Sequence, residues 1–241
     1  MPDKQAGVDS PAIEFFRVQH RARTRVREQF SKDAGDFLNA HQFVLSGVVS
    51  GLARIEGRKW PDDLPEDIQA KMTQVAQLTA LFLHGVDSCE VAIAEGLYGQ
   101  AGTLLRQQME IIGAIDEVWL GKRNPKSTPK VSSLPPELRR HYGGLSEIAH
   151  AAVPDYLARM FTLEEGGLIG SPTVPQYSKD LALFLYSLEL GLLLHFAVRQ
   201  DDALKNAYGD GLNEEEKKLL FVGKTLADRA AEELEALKRY E

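Results

Sequence analysis

The sequence predicts an all-α fold, a compact bundle of about seven helices forming a single domain over residues 1–241. Three observations carry that expectation: apolar residues recur every three or four positions, prolines fall between these periodic segments, and no alternating run is long enough for a strand. At 241 residues the chain can bury roughly 70–75% of its unfolded surface without disulfides.

The elements follow in order. Ser10-Pro11 reads as an N-cap and first-turn proline opening a helix that carries Ile13, Phe16, Val26 and Phe30, broken at Lys32-Asp33-Ala34-Gly35. Phe37, Ala40, Val44, Val48, Leu52 and Ile55 then line one face of a helix from about Asp36 to Glu56, which stops at Gly57. After the connector from Trp60 to Pro65, a long helix is expected from Glu66 to Glu95, ending at Gly96, and another from Tyr98 to Gly121.

Residues 122–136, rich in Lys, Ser, Thr and Pro, are expected to form an exposed loop open to disorder or proteolysis. A helix is expected from Glu137 to Ala152 with a shorter continuation after Pro154, then a second loop over 163–175. The last two helices read as Gln176 to Asn206 and Asn213 to Tyr240, the latter with Leu219, Val222, Leu226, Ala230, Leu234 and Leu237 along one side. That C-terminal stripe offers a surface for a second copy, so a homodimer is expected.

Leu181 to Val198 approaches the minimum length of a membrane span, but Glu189 and His195 fall within it, and the reading is a core helix with no membrane association. A lone cysteine, Cys89, excludes an intrachain disulfide, and the N-terminus has no apolar signal core, so a cytoplasmic location is expected. The formal net charge of −7 argues against wholesale wrapping of nucleic acid. Arg17, His20, Arg21, Arg23, Arg25 and Arg27 form the one concentrated basic segment. Their spacing distributes charge around a helix, which suits a solvated face, or otherwise a local patch for RNA or an acidic protein partner.

Chemistry is concentrated in two runs, Leu104-Leu105-Arg106-Gln107-Gln108-Met109-Glu110 and Leu145-Ser146-Glu147-Ile148-Ala149-His150. Arg106 and Glu110 are neighbours on one helical side, flanked by Gly102 and Gly113, whose small size lets another helix approach. They read either as an ion pair locking two helices, with Ser146 taking up spare hydrogen bonds, or as an arginine ready to hold a carboxylate or phosphate. Glu147 and His150 have the Glu-x-x-His spacing of carboxylate-bridged di-metal bundles, but only one copy exists, so no metal or other cofactor is expected. The third helix adds His84, Asp87 and Ser88, with Glu95 on the side of His84, and His84 and Asp87 are readable as metal or acid–base partners for Glu147 and His150, or the whole set as a solvated face. Glu189, surrounded by leucines, needs a buried partner, and Arg106 is the first candidate. Walker loops, dinucleotide fingerprints, nucleophile elbows and zinc-type cysteine pairs are absent.

The succession of a long helix, Gly-Leu-Tyr-Gly-Gln-Ala-Gly-Thr-Leu-Leu-Arg-Gln-Gln-Met-Glu, a loop, and Tyr-Gly-Gly-Leu-Ser-Glu-Ile-Ala-His resembles a group of bacterial all-helical proteins without an assigned activity, over about residues 75–152. These resemble, more loosely, the HEPN superfamily of helical bundles, whose active members are metal-independent ribonucleases with an Arg followed within a few residues by His on one helix. Here Arg140 and His150 are too far apart for that motif and Arg139-Arg140-His141 is too tight. What the resemblance implies is a cleft shared between Arg106 and His150 across two helices. The expected function is a non-catalytic interaction or regulatory module with a polar seam of Arg106, Glu110, Ser146, His150 and Glu189. The alternative is a hydrolase acting on RNA, or a metal-binding helical-bundle enzyme, with Arg106, Glu110, Glu147 and His150 as its catalytic set.

Overall fold

The Ser10 hydroxyl accepts a hydrogen bond from the Ile13 amide at 3.4 Å and Pro11 occupies the first turn, so α1 (Pro11–Asp33) starts where its cap dictates. The computed structural model describes residues 10–59, 61–150, 163–165, 168–170 and 173–237. Only Ala34 separates α1 from α2 (Gly35–Ala53). Next come α3 (Glu66–Ala94) and α4 (Tyr98–Trp119), joined through Gly96 at φ +73°, where a side chain would also meet the Gln176 carbonyl.

The helix expected from Glu137 to Ala152 is divided. A four-residue turn of helix, α5 (Pro136–Arg139), is separated by Arg140 and His141 from α6 (Tyr142–His150). The expected continuation after Pro154 lies outside the described residues. The loop over 122–136 is tethered rather than free: Glu117 accepts from the Lys130 amide at 2.9 Å and pairs with Arg123 at 3.4 Å, and Leu134 is buried. Periodicity could not show this, because the anchors are one carboxylate and one leucine. Within the second loop, β1 (Leu163–Glu165) pairs antiparallel with β2 (Leu168–Gly170), with Leu163 opposite Gly170. Strands of three residues are too short for alternation to reveal.

The last two helices are α7 (Lys179–Tyr208), closed by Gly209 at φ +78°, and α8 (Glu214–Leu237). Asn213 and Glu216 cap α8 reciprocally, the Glu216 amide donating to Asn213 Oδ1 at 2.9 Å and the Asn213 amide to Glu216 Oε2 at 2.7 Å. Eight α-helical segments thus lie among the described residues, seven of them longer than one turn, in an all-α bundle.

At the centre is α7, which touches α2, α3, α4, α5 and α8. An 18-residue window of α7 has mean hydropathy 1.9, enough on length and composition to cross a membrane, and 61% of that window is buried inside the protein. Its apolarity matches its surroundings: Leu185, Leu190, Leu192, Leu193 and Phe196 are enclosed by other helices, each worth about 1.5–3 kcal/mol of burial.

Around it, α3 and α4 form one packed pair and α2 and α8 another. The α2–α8 contact is close because Gly223 faces α2; a Cβ there would lie 2.5 Å from Val44 Cγ2 and 2.9 Å from the Ala40 carbonyl oxygen. Of the C-terminal stripe expected to meet a second copy, Leu226 and Ala230 pack into the core of their own chain, as does Leu220 beside it. Arg54 fastens the end of this pair, its Nε 3.0 Å from Glu216 Oε1 and its Nη2 donating to the Gly211 carbonyl at 2.7 Å.

Candidate functional site

One helical turn separates Arg106 from Glu110 on α4, and their side chains pair at 3.0 Å. Tyr142, the first residue of α6, donates its hydroxyl to the same Glu110 oxygen at 2.6 Å, and its ring lies 5.7 Å from the Arg106 guanidinium carbon. At the other end of α6, His150 Nε2 accepts from Arg106 Nη1 at 3.2 Å, which places any ring proton on Nδ1. Gly102 makes this docking feasible, since a Cβ there would come within 3.0 Å of Ile148 on α6. Gly113 serves a different neighbour, the loop backbone at Lys130, where a Cβ would meet the carbonyl oxygen at 2.5 Å.

Arg106, Glu110 and His150 are therefore brought together, as expected, but the fourth member is Tyr142 and not Glu147. Glu147 is exposed. Arg106 and Glu110 each keep 21% of their side-chain surface exposed, so the pair sits at the rim of the bundle and not within it. The Tyr142 hydroxyl and Glu110 together hold the Arg106 guanidinium above its ordinary pKa, while partial burial and the Glu110 carboxylate push the Tyr142 phenol up. Each charge already has a partner, leaving the arginine committed within the chain. Tyr142 was visible in the sequence as the residue one helical turn before Ser146 and two before His150 on one face of α6.

Glu189 does not pair with Arg106. It lies on α7 with 1% exposure, and neither carboxyl oxygen has a well-formed hydrogen bond. Burial raises its pKa well above the usual carboxylate range, the negative charges of Glu90 and Asp87 raise it further, and the adjacent Cys89 thiol offsets part of this. One turn before it, Tyr186 joins a set from three helices in which two members are buried and Glu90 reaches the surface: His41 Nδ1 lies 2.8 Å from the Tyr186 hydroxyl and 3.3 Å from Glu90 Oε2. His41 is 3% exposed, and its ring meets that of Tyr186 edge-on at 5.5 Å. His41 extends the buried stripe of Phe37, Ala40 and Val44, a position its sequence spacing marks even though its partners come from elsewhere.

The metal arrangements are not assembled. Among the described residues no group of three His, Cys, Asp or Glu side chains is placed to hold a metal ion. His84 and Asp87 are exposed, the Ser88 hydroxyl donates to the His84 carbonyl, and Glu95 pairs with Arg23 and Arg27 of α1. Two further arginines of the basic segment, Arg17 and Arg21, lie beside Glu14 at 3.8 and 3.1 Å, so that four of its arginines share two carboxylates and the segment stays net positive.

The first turns of α1 leave Ile13, Phe15, Phe16 and Val18 exposed, Phe16 by 69%. Beside them is a groove of about 320 Å³ lined by Phe15, Phe16, Leu97, Gln100, Val174 and Pro175. The sequence marked Ile13 and Phe16 for a buried stripe, but burial begins only at Val26, because the first half of α1 extends past the helices that cover the second. No family model, curated protein or solved structure matches this chain.

Proposed function

We propose that the protein is a non-catalytic interaction module that pairs two copies of itself through the first turns of α1, with the Arg106–Glu110–Tyr142–His150 seam holding α6 against α4. The exposed side chains of Ile13, Phe15 and Phe16 carry this reading, with the Phe15 and Phe16 rings edge-on at 5.8 Å, since large apolar side chains grouped on a surface mark an interaction face. A second copy is the occupant that fits. Knob and groove lie in one patch, so a two-fold axis brings Phe16 of each copy to the groove beside Phe16 of the other. Glu14 and Arg21, paired at 3.1 Å beside the cluster, exchange partners across an antiparallel pairing without a loss of charge balance. Sedimentation of the full chain tests this, with dimer expected for the native sequence and monomer for Phe15→Ser/Phe16→Ser.

A second reading, an RNA hydrolase, is supported by the 3.2 Å approach of Arg106 to His150, a cation and an imidazole on one rim. Incubation with a mixed RNA pool tests it. Cleavage lost in both Arg106→Ala and His150→Ala favours this reading, and an intact pool, with and without divalent metal, removes it.

A further inference from the structure

A cavity of about 250 Å³ opens between α2, α3, α4 and α7, on a different part of the molecule from the α1 patch and from the seam. Its walls are apolar, built from Leu52, Met72, Val75, Leu83 and Ile115, and Phe196 forms one side. That ring is held in place by face-to-face stacking on Phe82, with centroids 4.2 Å apart and planes 7° from parallel. An engineered cavity of about 150 Å³ lined in the same way is large enough to take benzene, so this space accommodates at least one aromatic ring. Ala76 and Ala80, small and exposed on α3, line its rim and leave a path inward.

Three polar residues lie in the wall, Thr79, Arg199 and Gln200, and the last two define what can enter. Gln200 is 6% exposed, and its Nε2 donates to the Val48 carbonyl at 2.8 Å. That bond fixes the amide orientation and leaves Oε1 as an acceptor, which is buried without a partner. An unsatisfied buried acceptor is unfavourable, and a ligand that brings one donor removes the deficit. Arg199 does not make the site anionophilic, because Asp116 Oδ1 lies 2.7 Å from its Nε and Asp202 Oδ2 3.7 Å from its Nη1.

We propose that this cavity is a binding site for a small neutral aromatic molecule bearing one hydrogen-bond donor, of the phenol class, with Gln200 Oε1 as its polar anchor and Phe196 as its aromatic wall. The charge state follows from the Asp116–Arg199 pair, and the donor follows from the buried, unpartnered acceptor of Gln200. This inference is independent of self-association, so either can fail without the other.

Titration of the full chain with phenol, toluene and benzoate, followed by amide chemical shifts of residues around Phe196, tests the site. Phenol is expected to bind with a dissociation constant of ~0.1–1 mM, typical of a ligand of this size, and benzoate not at this site. Gln200→Met is expected to lower the phenol-to-toluene affinity ratio about fivefold, the worth of one net hydrogen bond. Ala80→Leu, at the exposed rim, is expected to fill the space and abolish binding of both rings while the far-ultraviolet circular dichroism stays native. Absence of phenol shifts, binding that survives Ala80→Leu, an unchanged ratio in Gln200→Met, or benzoate binding as tightly as phenol would each overturn the assignment.

Discussion

Arg106 Nη1 lies 3.2 Å from His150 Nε2, a contact that ties the middle of α4 to the last residue of α6 across 44 positions of sequence. Together with the Tyr142 hydroxyl on Glu110 at the other end of α6, it makes the helix a clasp closed at both ends by one ion pair. α6 has only nine residues, too few to be stable alone, so its order depends on this clasp and on the buried Leu145.

Arg106→Ala removes one partner of Glu110 and the anchor of His150 together. Because the pair is one-fifth exposed, the expected loss is modest, about 1–2 kcal/mol, with faster amide exchange confined to α6. His150→Ala is expected to cost less than about 0.5 kcal/mol, since the ring is exposed and leaves the Arg106–Glu110 pair intact. Thermal melts and hydrogen exchange of the two variants separate these outcomes. Equal destabilisation would place the weight of the clasp on the histidine.

Glu189 gives the fold a pH signature. Its folded pKa is raised above the ordinary 4.5, so below 4.5 the proton is bound in both states and the stability it contributes is fully present. As pH rises towards the folded value, the unfolded chain has released the proton while the folded chain retains it, and stability is lost by at most about 1.4 kcal/mol per pH unit. Glu189→Gln removes this slope, so its stability relative to the native chain should increase with pH above 4.5. A difference independent of pH, measured by urea melts at several pH values, would show that the carboxyl is ionised in the fold.

At the interface of α2 and α8, Gly223→Ala places a methyl group 2.5 Å from Val44 and 2.9 Å from the Ala40 carbonyl oxygen, a backbone atom that cannot turn away. The helices must separate, at an expected cost of about 1–3 kcal/mol. Gly35→Ala, where nothing lies within 4 Å of the added carbon, is the matched control and is expected to be neutral or slightly stabilising.

Glu216 performs two tasks, capping α8 through the Asn213 amide and holding Arg54 at 3.0 Å, and it is 3% exposed. Glu216→Ala therefore removes a cap and leaves a half-buried guanidinium short of a partner, and is expected to cost about 2–4 kcal/mol. Glu216→Gln retains much of the cap but not the charge, and should fall between. Chemical denaturation of the three proteins orders them.

Element boundaries were largely legible because local signals set them: Ser10-Pro11 opens α1, Gly96 and Gly121 take positive φ after α3 and α4, and Gly209 ends α7. The break at Arg140–His141 was not legible, since no proline or glycine marks it. For the site, the one-turn spacing on α4 disclosed Arg106 with Glu110, but which residue of α6 would meet them depended on how far Gly102 lets α6 approach. Glu189 was recognisable as buried from its leucine neighbours, whereas its lack of a partner followed from tertiary packing that brings Cys89 to it while Arg106 is engaged by Glu110. The cavity beside Gln200 has no sequence signature, because its walls come from four helices.

Self-association through α1 is the central claim, and sedimentation equilibrium of the full chain over a range of concentrations tests it most directly. The native chain is expected to approach twice the monomer mass, and Phe15→Ser/Phe16→Ser to remain monomeric with a native far-ultraviolet circular dichroism spectrum, since both rings are exposed. A native chain that stays monomeric at every concentration, or a double variant that dimerises as tightly as the native protein, would contradict the account.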